Sequence, residues 1–437
     1  MFESIFRLAA VVALTAWPKV GLAAADDRRG GPREAEETYE LRLERILNTK
    51  GLRAMVEYLA RELKEHPTPY VKAWYANYLL YGEALGVKDV EDPARGFVLA
   101  RESCNEGSLF GLELVGRAYG DGRGTAQNPA LAVGYLRGAV EQGRDTAMSE
   151  LGKFYFFGVA VPKDRAAAEK LYLRGAWLGA YGPLHTLAQW WEDPRYTQPP
   201  NHEKALEIYY LAGEFGSADA LKSMKAWAQK GDALAQKYVH LDFVVSTNEG
   251  YDALPSKLRE AVRWLEAHAA PDDWPVQLAL AEVMTKKTLV VYDPRAAKAK
   301  LERAVQAGVD DARALQAEMA WDGIGQPADK AGAVKTWQEL ADRDNARALN
   351  RLGALHYWGE AEKFGIPRDS AKAFALCRRS ADLGYWAGQL NVAKFYTEGI
   401  GVPVSYFLAA KYYGILEDRR YPFAHKMKER VLAYVKD

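Results

Sequence analysis

Seven histidines and two cysteines are the residues of this 437-residue chain best suited to metal ligation or nucleophilic chemistry. The histidines are His66, His185, His202, His240, His268, His356 and His425. None has another histidine or a cysteine four positions away, the spacing that sets two ligands on one helix face. No metal is expected. A hydrolytic nucleophile needs a base and a carboxylate to hold it, and no local signature of that kind appears. The chain is therefore expected not to be an enzyme. The glycine-rich run YGDGRGTAQNP (119–129) is the remaining candidate for chemistry. A phosphate-cradling loop needs a strand before it and a helix with Lys and Ser/Thr after it. This run follows a helical pattern, and WDGIGQP and TEGIGVP occupy the same place further on. It reads as a turn between helices, and no cofactor is expected.

Those recurrences lead to the elements that carry them. Residues 109–143 and 145–179 superpose with an offset of 36: Gly116 on Gly152, Tyr119 on Tyr155, Gly122 on Gly158, Tyr135 on Leu171 and Gly143 on Gly179. The closing position recurs at Gly107, Gly143, Gly179, Gly216, Asp272, Gly308, Asp344 and Gly384, in steps of 36, 36, 37, 56, 36, 36 and 40. The 56 marks a degenerate or inserted unit over 217–260, and the 40 a longer loop in WGEAEKFGIPRDS. A last copy starts at Gly388.

Each unit reads as two short helices. Apolar residues three and four apart, as at Ala147, Leu151 and Tyr155, give the first its buried face. Gly-x-Gly breaks it. Asn128, Asp164 and Asp369 are placed to cap the second helix, and a glycine such as Gly179 closes it in a left-handed turn. Gly152 and Gly175 sit where the helices of a pair must cross closely. One hairpin cannot bury its own apolar face, so neighbours must stack.

The N-terminus, MFESIFRLAAVVALTAWPKVGLAAADD, has Arg7, an apolar run Leu8–Trp17 and an Ala-x-Ala ending. It is expected to be an export signal cleaved after Ala25, with no cysteine there for a lipid anchor. Loss of Arg7, Lys19 and Glu3 takes the 58 basic and 58 acidic residues to 56 and 57. That balance removes any overall electrostatic case for nucleic acid or anionic membranes. No later run approaches the roughly 18 apolar residues of a membrane span. The mature protein is expected to be periplasmic or secreted, without an integral membrane segment.

The pattern A-x-x-x-L-G-x-x-Y-x-x-G-x-G-V-x-x-D-x-x-K-A-x-x-W/L-Y-x-x-A-A-x-x-G resembles the Sel1-like repeat, a relative of the tetratricopeptide repeat. Residues 147–179, 348–384 and 388–417 carry it most clearly. The resemblance implies an all-α, right-handed solenoid of about nine stacked hairpins. The expected organisation is a signal peptide (1–25), a polar lead with capping helices (26–71), repeats over 72–216, a degenerate repeat (217–272), further repeats (273–418) and a C-terminal capping helix (419–437). His356 stands where the repeat has Tyr and reads as a packed substitute. A disulfide-rich branch of the family, described as penicillin-binding and β-lactamase-like, has a Cys pair in each repeat. Here Cys104 and Cys377 fall in distant units, beyond the ~7 Å that a disulfide spans, so that activity does not carry over.

The resemblance implies an adaptor or scaffold that binds other proteins, often at bacterial envelopes, with first helices lining the concave face. Most aromatics take core positions. Phe156, Phe157, Trp190, Trp321, Tyr357 and Trp358 fall off the core stripe or at the end of a first helix, and Tyr385 and Trp386 at a unit junction. These eight are the expected partner-binding residues. A protein partner is the leading expectation. The alternative is a scaffold for exopolysaccharide export or carbohydrate binding, favoured if the exposed aromatics form one row at a sugar spacing.

Overall fold

The computed structural model describes residues 32–248 and 255–434. The expected export signal lies outside them. The described residues contain no strand, and the chain divides into two compact units between Gly175 and Ala176. Each unit is an α-solenoid of stacked helical hairpins.

The first unit opens on the helix Pro32–Glu65, kinked at Gly51. Three hairpins follow: Pro69–Tyr81 with Pro93–Asn105, Leu109–Asp121 with Pro129–Glu141, and Asp145–Phe157 with Arg165–Trp177. The last helix carries the chain into the second unit. There, Gly182–Glu192 pairs with His202–Glu214, and three helices follow at Ala218–Gln229, Ala233–Asn248 and Pro255–His268. Regular pairing resumes with Trp274–Met284 and Pro294–Gln306, Asp310–Asp322 and Lys330–Ala341, Ala346–Trp358 and Ser370–Asp382, and Trp386–Glu398 and Tyr406–Asp418. Ala424–Leu432 follows the last hairpin.

Five hairpins share one construction. Their first helices end in left-handed glycines: Gly122, Gly158, Gly323, Gly359 and Gly399. Two residues on, Gly124, Gly325 and Gly401 are left-handed again, and Ala160 takes that place at φ 57°. Asn128, Asp164 and Asp369 then accept bonds from the amides of Leu131, Ala167 and Lys372 at 2.9–3.1 Å. Their own amides donate back to the carbonyls of Tyr119, Tyr155 and His356. This second bond fixes one anchor residue per hairpin, and so a common register for the whole chain.

Close crossing depends on the glycine three residues before the anchor. A Cβ at Gly152 would lie 2.6 Å from the buried Tyr172 ring, one at Gly116 2.8 Å from Leu136, and one at Gly353 2.5 Å from the sulfur of Cys377. Polar contacts then pin the two helices of a hairpin together, and one hairpin to the next. Ser103 and Ser380 each donate 2.7 Å to the carbonyl of the residue 34 earlier, Pro69 and Ala346. Arg144 pairs with the buried Glu113 at 2.8 Å.

The closing glycines named from the sequence are left-handed, and Asp344 adopts the same turn at φ 61°. Asp272 does not. The left-handed position in that stretch is Gly231, at φ 89° after the helix Ala218–Gln229. The long step of 56 thus holds three helices, an odd number, where whole repeats would bring two or four. Ala233–Asn248 accordingly packs beside both His202–Glu214, a second helix, and Trp274–Met284, a first helix.

The second unit also returns on itself. Gln389 Nε2 donates to the Trp177 carbonyl at 3.2 Å, 212 residues earlier. Arg420 Nη2 pairs with Asp242 Oδ1 at 2.7 Å. The Arg419 guanidinium lies 5.4 Å from the Phe215 ring centre, and Tyr181 bonds the Asp418 carboxylate.

Candidate functional site

The anchor register sorts the aromatic residues. In the hairpins anchored at Tyr119, Tyr155, Ala320, His356 and Tyr396, the residue two beyond the anchor is the last of its first helix and turns outward, and where the residue between them is large it turns inward. Phe156 and Trp321 hold the inward place and are 0% and 9% exposed. Both belong to the core: Phe156 lies under the Arg165 guanidinium, and Trp321 packs against Trp337 at 5.6 Å. The expectation that they are surface residues is corrected by this one-residue rotation. Tyr357 holds the same inward place, half-buried against Phe395 at 5.3 Å.

In those hairpins the outward place holds Asp121, Asp322 and Glu398, all exposed, or an aromatic, Phe157 or Trp358. Phe157 is 40% and Trp358 66% exposed. Each leans edge-on against the aromatic before it, at 5.1 Å for Phe156–Phe157 and 4.6 Å for Tyr357–Trp358. The same device therefore recurs in both units, an exposed ring braced by an inner one where three other hairpins place a charge.

Tyr385 and Trp386 lie at the opposite end of the first-helix face, half-buried. Trp386 packs on Tyr421 at 5.3 Å. A 13-residue helix is about 20 Å long, so this pair and the Tyr357–Trp358 pair mark opposite edges of the face and do not form one row. Trp190 is half-buried, 6.3 Å from Tyr196, and its carbonyl accepts from Thr197.

Between those edges runs an ion network. Arg347 donates to both carboxylate oxygens of Glu282 at 2.7 and 3.2 Å and to Glu318 at 3.2 Å. Arg351 donates to Glu318 at 2.8 Å, and Asn345 to Asp311 at 2.8 Å. The Arg347 guanidinium lies 5.5 Å from the Tyr385 ring. Burial opposes ionisation of Glu318, but Arg347 and Arg351 outweigh it and hold the carboxyl below its usual range. At Asp311 burial wins and the carboxyl is raised. The sequence carried a signal for this network: Glu282 and Glu318 stand 36 apart, and Arg347 and Arg351 share a helix face. No glycine or apolar position of the repeat marks these residues, so the repeat pattern alone does not point to them.

Elsewhere the polar chemistry is structural. His356 is buried, bonded through Nδ1 to the Pro367 carbonyl. Cys377 is a buried free thiol, its pKa pushed up to about 12 by burial, and Cys104 is a half-buried free thiol. A groove of about 470 Å³ between Pro294–Gln306 and Lys330–Ala341 has Lys298, Glu302, Arg313 and Asp329 on its walls, charges of both signs. Arg313 there is already held by Glu339 at 2.9 Å. Among the described residues, the three metal-ligating side chains that gather, Glu62, Glu65 and His66, do so at an exposed helix end.

Five segments match the sequence model of the Sel1 repeat: 111–143, 146–179, 193–216, 346–385 and 386–415. No curated protein matches the chain. Among solved structures the chain is similar to c5321, a protective antigen present in uropathogenic Escherichia coli strains that displays an SLR fold. The identity is 19% over 93% of this chain and 89% of that one, with a TM-score of 0.31. It is likewise similar to a Sel1 repeat protein from Oxalobacter formigenes, at 19% identity over 61% of this chain and 99% of that one, TM-score 0.31.

Proposed function

Because this chain is a Sel1-repeat protein, we propose that it is a non-enzymatic scaffold of the bacterial periplasm that holds a protein partner on the first-helix face of its hairpins. The supporting observation is the outward position at the end of the first helix. Charge there keeps a face solvated in three hairpins, while Phe157 and Trp358 replace it with large apolar rings braced by their neighbours. Rigid, exposed aromatics lose little entropy on binding and are favoured anchors at protein interfaces. The periplasmic assignment draws on the export signal read in residues 1–25. No helix among the described residues is long and apolar enough to cross a membrane.

The test is cross-linking in the native envelope with a photoreactive residue at position 358 or 157, followed by mass spectrometry. A discrete protein, lost from Trp358→Ala with helicity intact, is the expected result. Capture that is indifferent to both positions overturns the reading, and recovery of labelled glycan in place of protein redirects it to polysaccharide.

A further inference from the structure

We propose that the second unit is closed by a releasable latch in which the turn 419–423 grips Asp242, so that the hairpins between Trp177 and Asp418 form a circuit able to open at one seam. Three observations carry this. The seam is made largely at helix ends. Trp177 is the last residue of its helix and Asp418 the last of another, while Phe215, Gly216, Gly384, Arg419 and Arg420 lie just beyond helix ends. Hairpin neighbours, by contrast, pack along whole helices. A contact of that kind opens before the hairpins themselves unfold.

The fit at the seam is specific. A Cβ on Gly384 would lie 2.6 Å from the Trp177 ring, and one on Gly216 would collide with the Asp418 carbonyl. Arg419 Nη1 donates 2.9 Å to the Gly384 carbonyl, tying the gripping turn to the glycine that Trp177 covers.

The gripping turn is set by the repeat. Arg420 stands 36 residues after the closing Gly384 and is left-handed at φ 61°, with the Tyr421 amide donating to the Leu416 carbonyl as the Tyr385 amide does to Ser380. From this conformation Arg420 pairs with Asp242, so where other repeats place a closing glycine this one presents a guanidinium to the helix Ala233–Asn248. A charge pair made at a turn can break without unfolding a hairpin.

The latch connects to the first-helix face through two consecutive residues. Trp386 stacks on Tyr421, next to Arg420, and Tyr385 lies against Arg347 of the ion network. Tyr385 and Trp386 thus act as coupling residues between latch and face. A partner bound on that face meets either a closed circuit or an opened one. This consequence rests on the scaffold reading; the latch itself does not.

The test uses the protein alone. Spin labels on cysteines at the exposed Lys222 and Lys426, in a Cys104→Ser background, report the distance across the seam by pulsed dipolar spectroscopy. One narrow distance is expected in the wild type. Arg420→Asp, which faces Asp242 with a like charge, is expected to lengthen and broaden it, and the swap Asp242→Arg/Arg420→Asp to restore it. Arg420→Gly, whose backbone suits the left-handed turn, removes the pair without a folding burden and is expected to open the seam as well. A broad distance in the wild type, an unchanged distance in Arg420→Gly, or a swap that stays open overturns the proposal. None of these results bears on partner capture, so failure of the latch and failure of the scaffold reading are distinguishable.

Discussion

Arg347 holds both carboxylate oxygens of Glu282 although a whole hairpin lies between the two residues. Since it also reaches Glu318, one guanidinium ties three successive first helices together. Stacked repeats ordinarily interact only with their nearest neighbours, and this residue extends the coupling by one. Arg347→Ala leaves two carboxylates short of a partner and is expected to cost about 3 kcal/mol, the lower end for breaking a buried pair. Urea denaturation measures it. Glu282→Gln added to that variant is expected to recover part of the loss, and a strictly additive pair would count against direct coupling.

Acid separates the two carboxylates of this network. Glu318 is depressed in the folded state, so its stabilisation is complete above the ordinary glutamate range and fades as pH falls through the depressed value, below about pH 4. Asp311 is raised, so its ionisation costs stability at neutral pH and acid relieves that cost. Unfolding free energies between pH 3 and 7 are expected to show wild type and Glu318→Gln converging in acid. Asp311→Asn is expected to gain on wild type as pH rises. Parallel curves for all three would contradict the assignment.

The crossing glycines make a prediction that can be rescued. Gly353→Ala drives a methyl against the Cys377 sulfur and is expected to cost about 1–3 kcal/mol by overpacking. Cys377→Ala removes that sulfur, so the double variant should melt above the single one. Failure of rescue would place the strain in the Ala373 carbonyl, the next atom in line.

Aromatics one residue apart should behave oppositely. Trp321→Ala empties a core position and is expected to cost about 3–5 kcal/mol. Trp358→Ala touches only the surface and is expected to change stability by about 0.5 kcal/mol or less, while abolishing partner capture. Thermal melts of the two variants, run side by side, check the inward–outward rule directly.

Ala160 occupies a left-handed place that three other hairpins give to glycine. Left-handed backbone costs a non-glycine residue roughly 1–2 kcal/mol, so Ala160→Gly is expected to stabilise the first unit by about 1 kcal/mol once glycine's greater unfolded freedom is subtracted. A lower melting temperature would refute it.

The hairpins were legible because their turns depend on residue type. A left-handed helix end needs glycine, or a residue such as Asp344 that tolerates the turn, and a cap needs a short oxygen-bearing side chain such as Asn128 or Asp369. Those demands recur with every unit and rise above the variation around them. The facing of Phe156 and Trp321 was not legible, because one residue of helix is a 100° rotation and aromatic character is the same on either side of it. Gly231 escaped notice because it closes a helix that begins no regular hairpin. The seam was illegible for another reason: Trp177 and Gln389 meet only through the summed curvature of every hairpin between them, which no local pattern encodes.

The three helices between Gly216 and Trp274 have a consequence for how such a chain can change over time. An array of hairpins has something like a reading frame of two, since duplicating or losing a whole hairpin leaves every later helix on its proper side. Three helices shift that frame by one. Exchange between a repeat upstream of the shift and one downstream aligns hairpin with hairpin, and so deletes or doubles the shift itself. A whole hairpin can be gained or lost before Gly175 with every later helix still on its own side, whereas a gain or loss between Trp177 and Gln389 carries those two residues apart and with them the return contact of the second unit.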